Sequence, residues 1–125
     1  MRIEICAQWD RMSMAEAAAQ LSAKYYGDCG EVGYLCEPYY GEPYPIQALA
    51  PEAFRYGRAR IPASDLQKRL PDALHMVETR ELCFSVSRAQ LAATERLQQQ
   101  YRDFVALCAR KEDETGIPCL IVASY

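Results

Sequence analysis

The amino-acid sequence predicts an α+β fold: a two-layer sandwich in which a mixed β-sheet carries two main helices and a short third one on one face. Three observations carry that expectation. Residues 2–9 alternate apolar and polar side chains, the period of a half-buried strand. Residues 119–123 (CLIVA) are apolar without alternation and β-rich, which suits a strand covered on both faces near the middle of a sheet. Between them, 14–26 and 88–110 have helical periodicity, each opened by a capping box. At 125 residues the chain makes one domain, 1–125, long enough to bury about two thirds of its extended surface.

The first strand sets Ile3, Ile5, Ala7 and Trp9 on one side and Glu4, Cys6 and Gln8 on the other. Asp10 to Met12 turn the chain. Ser13 and Glu16 then form a capping box, in which the hydroxyl accepts from an unpaired backbone N–H and the carboxylate reaches back to the cap. Met14, Ala17, Ala18, Leu21 and Tyr25 follow at helical spacing, the stripe a surface helix ordinarily turns to a core, and Gly27 is placed to end the helix.

Periodicity dissolves from Gly27 to Gly57. The stretch YYGDCGEVGYLCEPYYGEPYPIQALAPEAFRY holds Tyr25, Tyr26, Tyr34, Tyr39, Tyr40, Tyr44 and Tyr56, all but Tyr101 and Tyr125 of the chain's tyrosines, and is rich in glycine and proline. Val32–Glu37 can form a strand. Glu37-Pro38-Tyr39 and Glu42-Pro43-Tyr44 then repeat around Tyr40-Gly41, and proline's missing donor leaves an edge hairpin or an extended loop. Pro51 can open a helical turn over 52–54, and Arg55–Ile61 reads as a further strand with Tyr56, Arg58 and Arg60 facing one way.

Ser64 and Gln67 make a second capping box for a short helix carrying Leu66 and Leu70, which Pro71 interrupts. Ala73, Leu74, Met76 and Val77 form a brief apolar run, and 78–81 a polar turn. Residues 82–86 alternate as a strand. Ser87 and Gln90 cap the helix over 88–110, whose buried face is Leu97, Tyr101, Phe104, Val105 and Cys108. Residues 111–116 read as a charged loop before the last strand. The first and last strands are expected side by side at the sheet centre.

Composition narrows function. The net charge of −3, with basic residues scattered except at Arg55/Arg58/Arg60 and Lys68/Arg69, argues against a nucleic-acid partner. No run approaches the roughly 18 apolar residues of a membrane span, and Glu4 breaks any signal-peptide core, so the cytoplasm is the expected location. Cys6, Cys29, Cys36, Cys83, Cys108 and Cys119 then read as reduced thiols. Cys6, Cys83, Cys108 and Cys119 lie within expected elements as small hydrophobes.

No cofactor is expected. His75 is the one histidine, no CxxC or HxxxH spacing marks a metal site, and no GxGxxG, GxxxxGK[ST] or GxSxG string occurs. Glu112, Asp113 and Glu114 read as solvated carboxylates. A cysteine-dependent hydrolase or transferase can be assembled from Cys29 as nucleophile and His75 as base, with Asp28 or Glu31 orienting the imidazole. Against it, Cys29 follows a helix C-terminus, the end whose dipole disfavours a thiolate. Binding is therefore favoured over catalysis: a small acidic protein-interaction module of inhibitor, immunity-type or accessory kind. Tyrosine's rigid ring and polar tip suit contact surfaces. Tyr34, Glu37, Tyr39, Tyr40, Glu42 and Tyr44 are the candidate contact residues, and the acidic balance favours a basic protein partner. A homodimer through this loop or an uncovered strand edge is a further reading.

Overall fold

The computed structural model describes residues 2–26, 30–38, 44–82 and 87–125. Strand β1 (Arg2–Gln8) leads to α1 (Met14–Tyr26), a short 3-10 turn (Gly30–Val32) and β2 (Tyr34–Pro38). Two short helices, α2 (Pro45–Leu49) and α3 (Pro51–Tyr56), precede β3 (Arg58–Arg60). The long helices α4 (Ala63–Leu82) and α5 (Arg88–Thr115) follow, and β4 (Leu120–Ser124) closes the chain.

The four strands form one sheet in the order β2-β1-β4-β3, with β1 and β4 at its centre as expected. Every pairing is antiparallel, which corrects the mixed sheet. The reason lies between α1 and β2. Arg2 at the start of β1 donates to the Lys24 carbonyl (3.2 Å), whereas Ala7 near its end donates to the Gly33 carbonyl (2.8 Å). The chain thus runs back along β1 twice, and β2 begins where β1 ends.

Ile5 and Ala7 belong to the main core, Ile5 in register with Leu35 of β2 and Ala7 with Ile121 of β4, and Ile3 is buried on the same side of the strand. Ile46 and Leu49 of α2, Leu66, Ala73 and Val77 of α4, and Tyr101, Phe104, Val105 and Cys108 of α5 complete it. On the other side of the sheet, α1 lies beside Glu4 and Cys6, where Lys24 pairs with Glu4 at 3.3 Å. The helices are therefore not confined to one face.

Several expectations from residue 55 onward are corrected. Helix α4 runs through Pro71 to Leu82 and starts at Ala63, so Ser64 lies inside it. Its first-turn donor at Ala63 is met by the Glu112 carboxylate (3.2 Å), which is consequently not a free solvated group. Proline in a helix interior removes one bond, to the carbonyl four residues before it. Here that carbonyl belongs to Gln67, exposed like Pro71, so water can satisfy it while Leu66, Ala73 and Val77 stay buried. The strand expected over 82–86 lies outside the described residues but for Leu82, which ends α4. Helix α5 continues over the supposed charged loop to Thr115, and Gly116 in the left-handed region (φ 73°) returns its N–H to the Glu112 carbonyl at 2.7 Å. The strand expected over 55–61 is reduced to 58–60, because α3 extends to Tyr56.

Gly30 fixes how closely the 3-10 turn meets α5. A Cβ built there would stand 1.9 Å from the Gln100 carbonyl oxygen, so only glycine permits the approach.

Candidate functional site

Helix α1 begins at the capping box the sequence predicts. Ser13 N–H donates to the Glu16 carboxylate (2.9 Å) and Glu16 N–H to the Ser13 hydroxyl (3.0 Å). What the helix turns to the protein is the reverse of the expected face. Ala23 is buried at 6 % exposure, while Met14, Leu21 and Tyr25 stand 90 %, 57 % and 74 % exposed. Ala17 and Ala18 of the same stripe are exposed too.

The polar side of α1 explains the inversion, because it supplies the anchors. The Gln20 amide nitrogen lies 2.8 Å from the Ala7 carbonyl, 3.0 Å from that of Val32 and 3.2 Å from that of Gly33. These carbonyls close the corner between β1 and β2, and a buried carbonyl without a donor is costly. Glu16 pairs with Lys111 of α5 at 3.0 Å, and Lys24 with Glu4 of β1. Between α1 and the sheet lies a cavity of about 340 Å³ lined by Glu4, Cys6, Ala17, Gln20, Leu21, Lys24 and Tyr34. The Leu21 flank of the stripe opens into it.

A second cleft, of about 400 Å³, lies at the N-terminal end of α1 between Trp9, Arg11, Glu16, Lys111 and Glu114. The Lys111 ammonium sits 5.2 Å from the Trp9 ring centre, 3.0 Å from Glu16 and 3.2 Å from Glu114. The Ser13 N–H first, and Lys111 second, hold the Glu16 carboxyl down at about 2. Its charges already satisfy one another, so this cleft works as a clamp between α1 and α5.

Half of the candidate contact residues are interior. Tyr34 and Tyr44 are 2 % and 1 % exposed and Glu37 is buried, so these three offer no partner a surface, which corrects that expectation. Tyr34 donates to the Glu4 carboxylate, and burial first, then that bond, raises its phenol well above the usual range. Glu37 is held by the Tyr101 hydroxyl (3.1 Å) and the Arg80 guanidinium (3.5 Å), and Arg80 lies 5.5 Å from the Tyr44 ring centre. Burial, then the Glu37 charge, pushes the Tyr101 phenol up as well. The Glu-Pro-Tyr repeat looks like an exposed motif in the sequence, and nothing near it announces that Arg80 and Tyr101 will enclose Glu37. Tyr39, Tyr40, Glu42, Asp28 and Cys29 lie outside the described residues. His75 is exposed on α4.

Among the described residues, no three His, Cys, Asp or Glu side chains gather to hold a metal ion, and no helix is long and apolar enough to cross a membrane. The cysteines described, Cys6, Cys36, Cys108 and Cys119, are free thiols. Cys108 and Cys119 are buried together, and hydrogen bonding between them raises the Cys108 thiol, with burial second. Among the described residues, the outer face of α1 is an apolar and open surface. No protein-family model, curated protein or solved structure matches the chain.

Proposed function

We propose that this chain is a small, acidic, non-catalytic protein-interaction module, and that the partner seats on the outer stripe of α1. The observation behind this reading is the inversion of α1: three large apolar side chains at helical spacing point to solvent while an alanine is buried. Leaving apolar area in water forfeits roughly 25 cal/mol per Å², and contiguous apolar patches commonly mark interaction sites. The polar anchors support it further, since a helix fastened by Gln20, Glu16 and Lys24 keeps its stripe outward without relying on it for stability. Tyr39, Tyr40 and Glu42 join the reading as contact residues, with Tyr34, Glu37 and Tyr44 supporting the segment from inside.

The test is capture of binding proteins by the tagged chain, native against a Met14→Glu/Leu21→Glu/Tyr25→Glu variant. Capture is expected to fall by at least about tenfold, with the urea midpoint of the variant within the range of ordinary surface substitutions. Equal capture by the two proteins would remove α1 from the reading.

A further inference from the structure

We infer that the protein covering α1 is a second copy of this chain, packed through its own α1 antiparallel across a twofold axis. The inference rests on the reading of α1 as the contact surface and names its occupant.

The stripe is self-complementary in that arrangement. Antiparallel pairing about a point between Ala18 and Leu21 sets Met14 of one copy against Tyr25 of the other, and Ala18 against Leu21. A large side chain meets a small one beside the axis, which allows helices to approach to about 8–10 Å. A thioether meets an aromatic ring at each end, a favourable contact. A twofold axis repeats both pairings, so every large residue of the stripe has a place, as an isologous interface requires.

Charge agrees with this occupant. The chain carries a net charge of −3, which would oppose self-association if the contact face bore it. The stripe carries none: Met14, Ala17, Ala18, Leu21 and Tyr25 are uncharged, Glu16 lies on the opposite side of the helix against Lys111, and Lys24 is neutralised by Glu4. A strongly basic partner would find nothing to pair with there. Antiparallel helices also oppose their dipoles, whereas a parallel pair would align them.

The area sets the strength. With the exposures given, two such stripes bury on the order of 1,000 Å², at the lower bound for a specific interface, so a reversible dimer is expected.

Sedimentation of the purified chain over a concentration series tests this, with Ala18→Lys and Leu21→Glu as separate variants. The native chain is expected to shift from monomer to dimer with concentration, and each variant to remain monomeric. Mixing the two variants should restore a dimer, because the mixed pair has one Lys–Glu contact and one native Leu21–Ala18 contact, and added salt should weaken it. Circular dichroism and urea unfolding show that each variant is folded before mixing. A native chain monomeric up to about 1 mM overturns the inference. So does a dimer that ignores Leu21→Glu, or a mixture that stays monomeric. If the native chain is monomeric and the triple α1 variant still loses capture of another protein, self-association falls while the interaction reading stands. If neither association nor capture responds to α1, both fall.

Discussion

Ala23 is buried against the body of the protein while Leu21, two positions earlier on the same helix, stands in solvent. The relationship inverts the usual assignment of large apolar residues to a core, and it makes the energetics of α1 a matter of polar anchoring.

Replacing Gln20 with Ala is therefore expected to destabilise the fold more than replacing Leu21 with Ala. The Gln20 change withdraws the side-chain donor from the Ala7 and Val32 carbonyls, while the Gly33 carbonyl keeps the Ala7 N–H, and should lose about 1–3 kcal/mol. The Leu21 change should stay within about 0.5 kcal/mol. Urea unfolding of the two variants, compared at concentrations where both are monomeric, decides the order.

Tyr101→Phe should lose about 1–3 kcal/mol although no ring volume changes, because the buried Glu37 carboxylate is left with one donor fewer. A double-mutant cycle with Glu37→Gln measures the coupling, and additivity within about 0.3–0.5 kcal/mol would show that the contact contributes nothing of its own.

Acid should loosen α1 in a defined window. Glu16 binds its proton in the folded protein at about 2, against an ordinary value of 4.5. The folded value is the depressed one, so the contribution is complete above 4.5 and fades as pH falls from there towards 2. Lys111→Met removes the second cause of the depression and should raise the Glu16 value measured by NMR titration of its carboxyl carbon. An unchanged titration would mean that the Ser13 N–H accounts for the effect alone.

Gly30→Ala should be among the most damaging single-methyl additions in the chain, since the new Cβ meets the backbone carbonyl of Gln100 and no side chain can yield. Overpacking of this kind typically loses about 1–3 kcal/mol. A midpoint equal to that of the native chain would show that the 3-10 turn can move off α5.

Local hydrogen bonding made much of the fold legible. The box at Ser13–Glu16 and the cap at Ser87, whose hydroxyl accepts from the Gln90 N–H, involve near neighbours, so there the sequence pattern and the observed bonds coincide. Strand β1 was readable because Ile3, Ile5 and Ala7 alternate with polar residues, and the unbroken apolar run of β4 pointed to the sheet centre. Expectation and structure part where distant residues decide. Pro71 is a local breaker overruled by the burial of Leu66, Ala73 and Val77, and Glu112 reads as solvated although it accepts from the distant Ala63 N–H. The site was less legible than the fold for the same reason. Periodicity defines a stripe on α1 but not which side meets the protein, and that choice was made by carbonyls at the β1–β2 corner.

The margins of the sheet have a consequence of their own. One outer strand, β3, has three residues with arginines at Arg58 and Arg60, and the other, β2, reaches Pro38, which has no hydrogen to donate. A neighbouring molecule trying to prolong the ladder meets guanidinium charge on one flank and a missing donor on the other. Fibrous stacking by strand addition is thereby discouraged even when the protein is crowded, so copies can meet repeatedly through side chains without being templated into an endless sheet.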